Sequence, residues 1–273
     1  SKKPAMIVFP NAKINLGLYI TAKRSDGYHE IQSCMYPIPL TDALEIQVSK
    51  KNRFESSGLP IPGNPEDNLI LKAYHLLKKD FQDLPPISVH LHKHIPIGAG
   101  LGGGSADAAF ALTLMNQLFE LYLEDWILED YAAQLGSDCP FFVGNTPKLV
   151  SGRGELMEDS PLDLQEKWIV LVYPHIHIST KEAYAGVKPT PLESSLSECL
   201  AEPANWRSCL KNDFEASLFP LYPLLQTLKE QFYEAGAKYA AMSGSGSSVF
   251  GLFENEPPRL PAESGYFVFR SQL

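Results

Sequence analysis

The stretch from Pro96 to Ala109, Pro-Ile-Gly-Ala-Gly-Leu-Gly-Gly-Gly-Ser-Ala-Asp-Ala-Ala, constrains the chain more than any other. Five glycines (Gly98, Gly100, Gly102, Gly103 and Gly104) fall within seven positions, and Ser105 then opens a run of small residues at helical spacing. Glycine enters left-handed backbone without a Cβ penalty and lets a ligand approach the main chain closely. Placed ahead of a helix, such a loop aims unpaired N–H groups and the positive end of the helix dipole at one point. That geometry suits a phosphate chain. A flexible linker is the competing reading, and the alanine-rich helix start directly after the glycines argues against it.

Three phosphate-loop patterns compete. Gly98 to Ser105 fits the Walker loop except that Gly104 stands where lysine is required. Gly98, Gly100 and Gly103 meet the dinucleotide fingerprint literally. That fingerprint also wants an acidic residue about 20 positions on, at the end of the next strand. Glu120 and Glu124 lie near that distance but at a helix junction, with no strand between. The protein-kinase loop lacks its His-Arg-Asp and Asp-Phe-Gly companions. The loop therefore reads as a nucleotide triphosphate cradle in some other architecture.

A chain of 273 residues can form one large or two modest domains. Its formal charge of -9 argues against nucleic-acid wrapping or an anionic membrane surface. An anionic substrate then needs a local positive site. Cys34, Cys139, Cys199 and Cys209 are dispersed without a Cys-x-x-Cys pair, so we expect a reducing compartment and no zinc. No basic-then-apolar leader opens the chain and no apolar run reaches about 18 residues, so the expectation is a cytoplasmic protein.

Along the chain, residues 5–22 read as one or two strands, with Lys13 and Asn15 on one face and Ile14, Leu16 and Leu18 on the other. Lys13 is either a snorkelling edge residue or a site residue. Ser25 to His29 is a turn carrying Tyr28 and His29, a ring for stacking and a group for hydrogen bonding. Residues 43–49 alternate as a strand, 55–67 read as loop, and Asn68 to Phe81 as an amphipathic helix capped by Asp67 or Asn68. His90, His92 and His94, on a strand beginning at Ile87, read as solvent-facing, because no carboxylate or cysteine joins them as a ligand.

Ser105 to Leu121 and residues 124–135 read as helices, the second closed by Gly136. Asp138 reads as a turn or cap carboxylate ahead of Pro140, and Phe141 to Val143 as entering a strand. Trp168 to Tyr173 is a strand buried on both faces, and Ser179 or Thr180 caps a short helix carrying Tyr184. Residues 188–206 read as loop. Helices follow from Asn212 and Leu221, the latter stopped by Gly236, and Tyr266 to Arg270 is a last strand. Between them, strand flanks surround a second Gly/Ser loop, Ser243 to Ser248, which forfeits packing and costs backbone entropy and so is unlike decoration.

Ala12-Lys13-Ile14-Asn15-Leu16, Pro96 through Gly100-Leu101-Gly102-Gly103-Gly104-Ser105, and Ser243-Gly244-Ser245-Gly246 occur in the order of the GHMP kinase superfamily, which this chain resembles from about residue 5 to 253. Asp26-Gly27-Tyr28-His29 and Leu135 through Phe142 are similar to the branch acting on a cytidine-diphosphate-linked methylerythritol. The resemblance implies an α+β, two-lobed GHMP kinase fold. Its N-terminal domain, over 1–158, would be like ribosomal S5 domain 2, and its C-terminal domain, over 159–273, ferredoxin-like. The implied reaction is ATP-dependent phosphorylation of the tertiary 2-hydroxyl of that polyol, in isoprenoid precursor synthesis, with Mg²⁺.

The resemblance also implies roles. Lys13 and Asp138 are the catalytic pair, Asp138 accepting or orienting the hydroxyl and Lys13 offsetting charge on the reacting oxygens. Gly98, Gly100, Leu101, Gly102, Gly103, Gly104 and Ser105 hold the triphosphate, with Ser105 toward Mg²⁺, and Asn68 and Leu69 lie near the adenine. Tyr28 and Tyr184 sandwich the cytosine while His29 reads its edge. Asn15, Thr180, Gly244, Ser245 and Gly246 face the acceptor. A monomer or weak homodimer without nucleic-acid or membrane partners is expected. Ser248 and Tyr184 depart from the family's more usual Thr and Phe; the second keeps a stacking face.

Overall fold

Period-two and period-3.6 apolar patterns become alternating strands and helices in a computed structural model that describes residues 5–273. The strands are β1 (Ala5–Val8), β2 (Asn11–Lys23), β3 (His29–Thr41), β4 (Ala43–Val48), β5 (Arg53–Gly58), β6 (Ile87–Lys93), β7 (Lys148–Ser151), β8 (Leu156–Asp159), β9 (Trp168–Tyr173), β10 (Tyr239–Met242), β11 (Val249–Phe253) and β12 (Phe267–Gln272). The α-helices are α1 (Leu69–Asp80), α2 (Gly103–Leu118), α3 (Asp125–Ala133), α4 (Phe141–Gly144), α5 (Thr180–Ala185), α6 (Leu196–Ala201), α7 (Trp206–Cys209), α8 (Phe214–Leu221) and α9 (Pro223–Glu234). Contacts divide the chain into two interleaved compact units. Among the described residues, the first holds residues 5–12, Leu40–Ile97 and Gly102–Thr146; the second holds Lys13–Pro39, Gly98–Leu101 and Pro147–Leu273.

In the first unit the sheet runs β1-β4-β6-β5, with β5 and β6 parallel and the other pairs antiparallel. Strict alternation in β6 turns Ile87, Val89, Leu91 and Lys93 inward and leaves His90 and His92 exposed. Ile87, Val89 and Leu91 pack with Leu44 and Ile46 of β4 against Ile70, Ala73 and Leu77 of α1 and Ala108, Leu112 and Met115 of α2. Small residues on α2 let its backbone approach closely, which is what its Gly-Ala-rich start permits. Asn68 caps α1 through its side-chain oxygen, which accepts from Ile70 N at 2.9 Å, as its sequence position suggests.

Three sequence expectations in this unit are corrected. Part of the 55–67 loop is strand: Glu55 to Gly58 of β5 pair in parallel with β6. Phe141 to Val143 form the helical turn α4 instead of entering a strand, because Pro140 adopts helical angles (φ -58, ψ -33), and proline is well suited to a helix start. Gly136 is not a left-handed cap; α3 closes at Gln134.

The second unit contains two sheets, β2-β3-β7-β8 and β10-β11-β9-β12. β9 lies between β11 and β12, antiparallel to both, which accounts for its unbroken apolar run. Val170, Val172, Met242, Val249 and Phe253 pack under Phe214 and Leu218 of α8 and Leu225, Leu228 and Phe232 of α9. Gly236 ends α9 at φ +99, as expected from its place in the sequence.

Residues 188–206, expected as loop, contain α6, capped by Ser195, whose hydroxyl accepts from Glu198 N. Cys199 and Cys209 form a disulfide with Cα atoms 6.0 Å apart, which runs against the expectation of a reducing compartment drawn from the dispersed cysteines. The short helical turns between them fold ten residues back on themselves, a proximity that cysteine spacing does not encode. Cys34 and Cys139 are buried thiols, each pushed up to about 11 chiefly by burial. Among the described residues no helix is long and apolar enough to cross a membrane.

Candidate active site

β2 sets the first group of site residues. Lys13 and Asn15, two positions apart, emerge on the same face as their parity requires, and both are buried, at 4% and 5% exposure. Burial excludes the snorkelling reading of Lys13. Its ammonium donates to Asn15 Oδ1 at 2.5 Å, and Asn15 Nδ2 in turn donates to Ser33 Oγ at 2.9 Å. Ser33 donates to the Gly17 carbonyl, so Asn15 is oriented from both ends. A buried polar chain fully partnered in this way holds a single side-chain arrangement.

The strand also carries the first half of the glycine loop: Lys13 N donates to Leu101 O at 2.9 Å. The second Gly/Ser loop closes on the same segment. Ser243 Oγ donates to Gly100 O at 2.9 Å, and Ser248 N donates to Ala99 O at 3.1 Å. Gly100 is left-handed (φ +83), and a Cβ there would lie 2.1 Å from the Ser243 carbonyl oxygen. Gly244 repeats the pattern: a Cβ would meet Gly100 O at 3.2 Å and Asn15 Oδ1 at 3.5 Å. The loops at 98–101 and 243–248 are interlocked, with no room for a Cβ at Gly100 between them. Asn212, which sequence reasoning missed, fixes the second loop by donating from Nδ2 to Met242 O and Gly244 O, each at 2.8 Å. Only its tertiary contacts distinguish it from the turn residue its neighbours suggest.

The aromatic residues form a separate cluster in this unit. Asp26 Oδ1 accepts from Tyr28 N and shapes the turn that presents Tyr28 and His29. His29 stacks on Tyr184, with centroids 4.6 Å apart and planes 23° apart, and Tyr184 meets Phe214 edge-on at 5.0 Å. Tyr28 is 54% exposed, and the Arg153 guanidinium lies 4.4 Å over its ring. Arg153 was not foreseen from the sequence. Burial, then the charge of Lys23, pushes the His29 imidazole below its ordinary value. Thr180 is the exposed first residue of α5, one turn before Tyr184.

In the first unit the helix end of the glycine loop is built on Gly102, a left-handed N-cap (φ 68), from which Ala106 N takes up the first carbonyl at 2.9 Å. Gly104 faces open space. Ser105 sits in the first turn of α2, and its side chain hydrogen-bonds the Cys139 thiol. A Cβ on Gly136 would be 4.0 Å from Ser105 Oγ. Asp138 is half-buried in the turn after Gly136, directly before Cys139. Leu69 opens α1 and is half-buried; Asn68 is engaged as its cap.

His90 and His92 share the Ser57 hydroxyl at 3.0 and 2.8 Å, and among the described residues no group of three or more His, Cys, Asp or Glu is arranged to hold a metal.

Family models for "GHMP kinases N terminal domain" and "GHMP kinases C terminal" match residues 68–145 and 193–262. A 4-diphosphocytidyl-2-C-methyl-D-erythritol kinase of Bacteroides fragilis is 54% identical over 98% of this chain and 100% of its own length. The chain belongs to the 4-diphosphocytidyl-2-C-methyl-D-erythritol kinases of the GHMP superfamily. A crystal structure of 4-(cytidine 5'-diphospho)-2C-methyl-D-erythritol kinase superposes with a TM-score of 0.78 at 30% identity, covering 92% of this chain and 91% of that one. A crystal structure of L. major mevalonate kinase superposes with a TM-score of 0.68 at 14% identity, covering 99% of this chain and 96% of that one, and shares the fold. The α+β, two-domain GHMP architecture expected from the motifs is the one this kinase has.

Proposed function

We propose that this kinase transfers the γ-phosphoryl group of ATP to the 2-hydroxyl of 4-diphosphocytidyl-2-C-methyl-D-erythritol, in the non-mevalonate route to isoprenoid precursors. The observation that carries the reading is the interlock of the Gly98–Leu101 segment with the Ser243–Ser248 loop on the strand bearing Lys13. Three motifs distant in sequence are hydrogen-bonded into one backbone surface. The identity of the acceptor rests on relatives that match the whole chain.

Phosphoryl transfer through a loose transition state asks a protein mainly for positioning and charge stabilisation. The backbone N–H groups of the glycine loop and the start of α2 meet that demand for the triphosphate. Lys13, buried beside Asn15, offsets negative charge on the reacting oxygens, where low local dielectric strengthens its effect. Asp138 accepts or orients the acceptor hydroxyl. Asn15, Thr180, Gly244, Ser245 and Gly246 line the acceptor side, and His29, Tyr28 and Tyr184 take the cytosine. His29 stacks on Tyr184 and Arg153 lies 4.4 Å over the Tyr28 ring, so a cytosine between Tyr28 and Tyr184 would take the opposite faces of these rings or displace those partners.

Mg²⁺, when bound with the nucleotide, neutralises phosphate charge. Ser105 would hold it through its hydroxyl. One hydroxyl at a helix start fits an ion that takes few protein ligands and completes its shell with phosphates and water. We further propose that the family's two domains are 1–158 and 159–273, of which residues 1–4 lie outside the described residues. ATP use supports a cytoplasmic location. Steady-state assays with ATP, Mg²⁺ and one acceptor at a time test the reading. The cytidyl polyol should give ADP; turnover with homoserine or mevalonate alone would refute it.

A further inference from the structure

Beneath the glycine loop lies a buried charge cluster that the reaction itself does not use. Lys93 Nζ is 2.6 Å from Asp42 Oδ2 and 2.9 Å from Asp107 Oδ2, with all three side chains at 5% exposure or less. Asp42 Oδ1 accepts two further bonds, from His94 N and Ile95 N, each at 2.8 Å. His94 and Ile95 lead directly into Pro96 and the glycines, whereas Asp107 belongs to the second turn of α2, just past them. Gly103 packs on the same ammonium: a Cβ there would lie 3.0 Å from Lys93 Nζ and 2.8 Å from Ile95 Cγ2.

We propose that Asp42, Lys93 and Asp107 are positioning residues that clamp both ends of the 96–102 loop in one frame, so that its N–H groups are aimed before ATP arrives. The clamp rests on reading that loop as the donor site. Its logic is in the connectivity. One carboxylate of Asp42 fixes the entry backbone with one oxygen and Lys93 with the other, and Lys93 passes the constraint to the exit helix through Asp107. A hydrophobic cluster of the same size would fill the space but would not fix the direction of two backbone N–H groups. Buried ion pairs are a poor source of stability and a better source of unique geometry.

Protonation supports this arrangement. Burial disfavours the Lys93 cation, but Asp107 and Asp42 outweigh it and raise its pKa. Burial holds the Asp107 carboxyl well above the usual range, and its Oδ1 has no hydrogen-bond partner among the described residues.

The test is kinetic, on the full chain, with ATP and the cytidyl polyol varied separately. Asp42→Ala leaves Lys93 paired with Asp107 but removes the acceptor for His94 N and Ile95 N. It should raise KM for ATP at least tenfold while KM for the polyol stays within twofold. Asp42→Asn keeps an amide oxygen for the two N–H groups and should fall between wild type and Asp42→Ala. An unchanged ATP KM in either folded variant, or equal rises in both KM values, would overturn the clamp. Amide hydrogen exchange of the wild type provides a second reading that does not depend on a variant folding. His94 and Ile95 should exchange as slowly as the central residues of β6, and exchange as fast as an exposed loop would overturn the proposal. Absence of wild-type turnover would refute the kinase reading alone, since the exchange result stands apart from it.

Discussion

Gly100 is where the two loops meet, and replacing it with alanine isolates what the interlock does. Its φ of +83 costs an L-residue about 1–2 kcal/mol. The new methyl would sit 2.1 Å from the Ser243 carbonyl oxygen and about as close to the backbone as no real Cβ comes, so Ser243 must move. Moving it breaks the 2.9 Å bond from Ser243 Oγ to Gly100 O, a further loss of about 1 kcal/mol. The strain and the lost bond total about 2–3 kcal/mol before any residual overlap, which at about 2–4 °C per kcal/mol lowers the melting temperature by roughly 4–12 °C. Activity should suffer more than stability. A displacement of about 1 Å in a positioning element costs about 100-fold in rate, and kcat/KM should fall by at least that much.

Gly104→Ala is the companion measurement. Gly104 has open space around it, an ordinary φ and a place in the first turn of α2, where alanine is favoured by about 0.5–1 kcal/mol. Its melting temperature should hold or rise, so any loss of activity there comes from a methyl facing the ligand. Calorimetry and a coupled ADP assay on both variants decide the matter. A Gly100→Ala protein with wild-type melting temperature and kcat/KM would refute the interlock as a rigid surface.

Other expectations follow from single contacts. Asp138→Asn should abolish turnover while ATP still binds by calorimetric titration; near-normal turnover would remove Asp138 from the chemistry. Tyr28→Ala should raise KM for the cytidyl substrate by about 1–3 kcal/mol of lost stacking, the range for base–aromatic contacts, and an unchanged KM would remove Tyr28 from cytosine binding. The native Cys34 and Cys139 thiols, at about 11, should resist iodoacetamide at pH 8 and react only after unfolding; ready labelling of the native protein would contradict their burial. His29 should titrate below about 6.5 by NMR, because burial and Lys23 disfavour its cation in the fold. The unfolded chain then binds the proton first, so stability declines as pH falls from the unfolded value to the depressed folded one. Titration at or above about 6.5 would contradict that sign.

Much of the fold was readable because local patterns and tertiary demands agree. β9 lies on the residues its apolar run marks, and Asn68 and Gly236 cap the helices they flank. The site was readable where a motif must be made of particular residues: glycines at 98–104, Lys13 and Asn15 at matched parity, and the Gly/Ser loop at 243–248. It was unreadable where function depends on partners far apart in sequence. Asn212 looks like any helix-leading asparagine until its bonds to Met242 O and Gly244 O are seen. Lys93 sits among three histidines in a strand whose exposed face drew attention, while its own side chain points inward to Asp42 and Asp107. Phe141 and Phe142 look like strand, yet Pro140 starts a helical turn that buries both rings.

Under the proposed function, the two interlocked loops and the strand bearing Lys13 serve one phosphoryl transfer to a defined hydroxyl. ³¹P NMR of the product formed from ATP and 4-diphosphocytidyl-2-C-methyl-D-erythritol tests it directly. A new phosphomonoester resonance on the 2-oxygen of the polyol should grow in step with ADP. ADP formed without that resonance, or a phosphate attached at another oxygen, would contradict it.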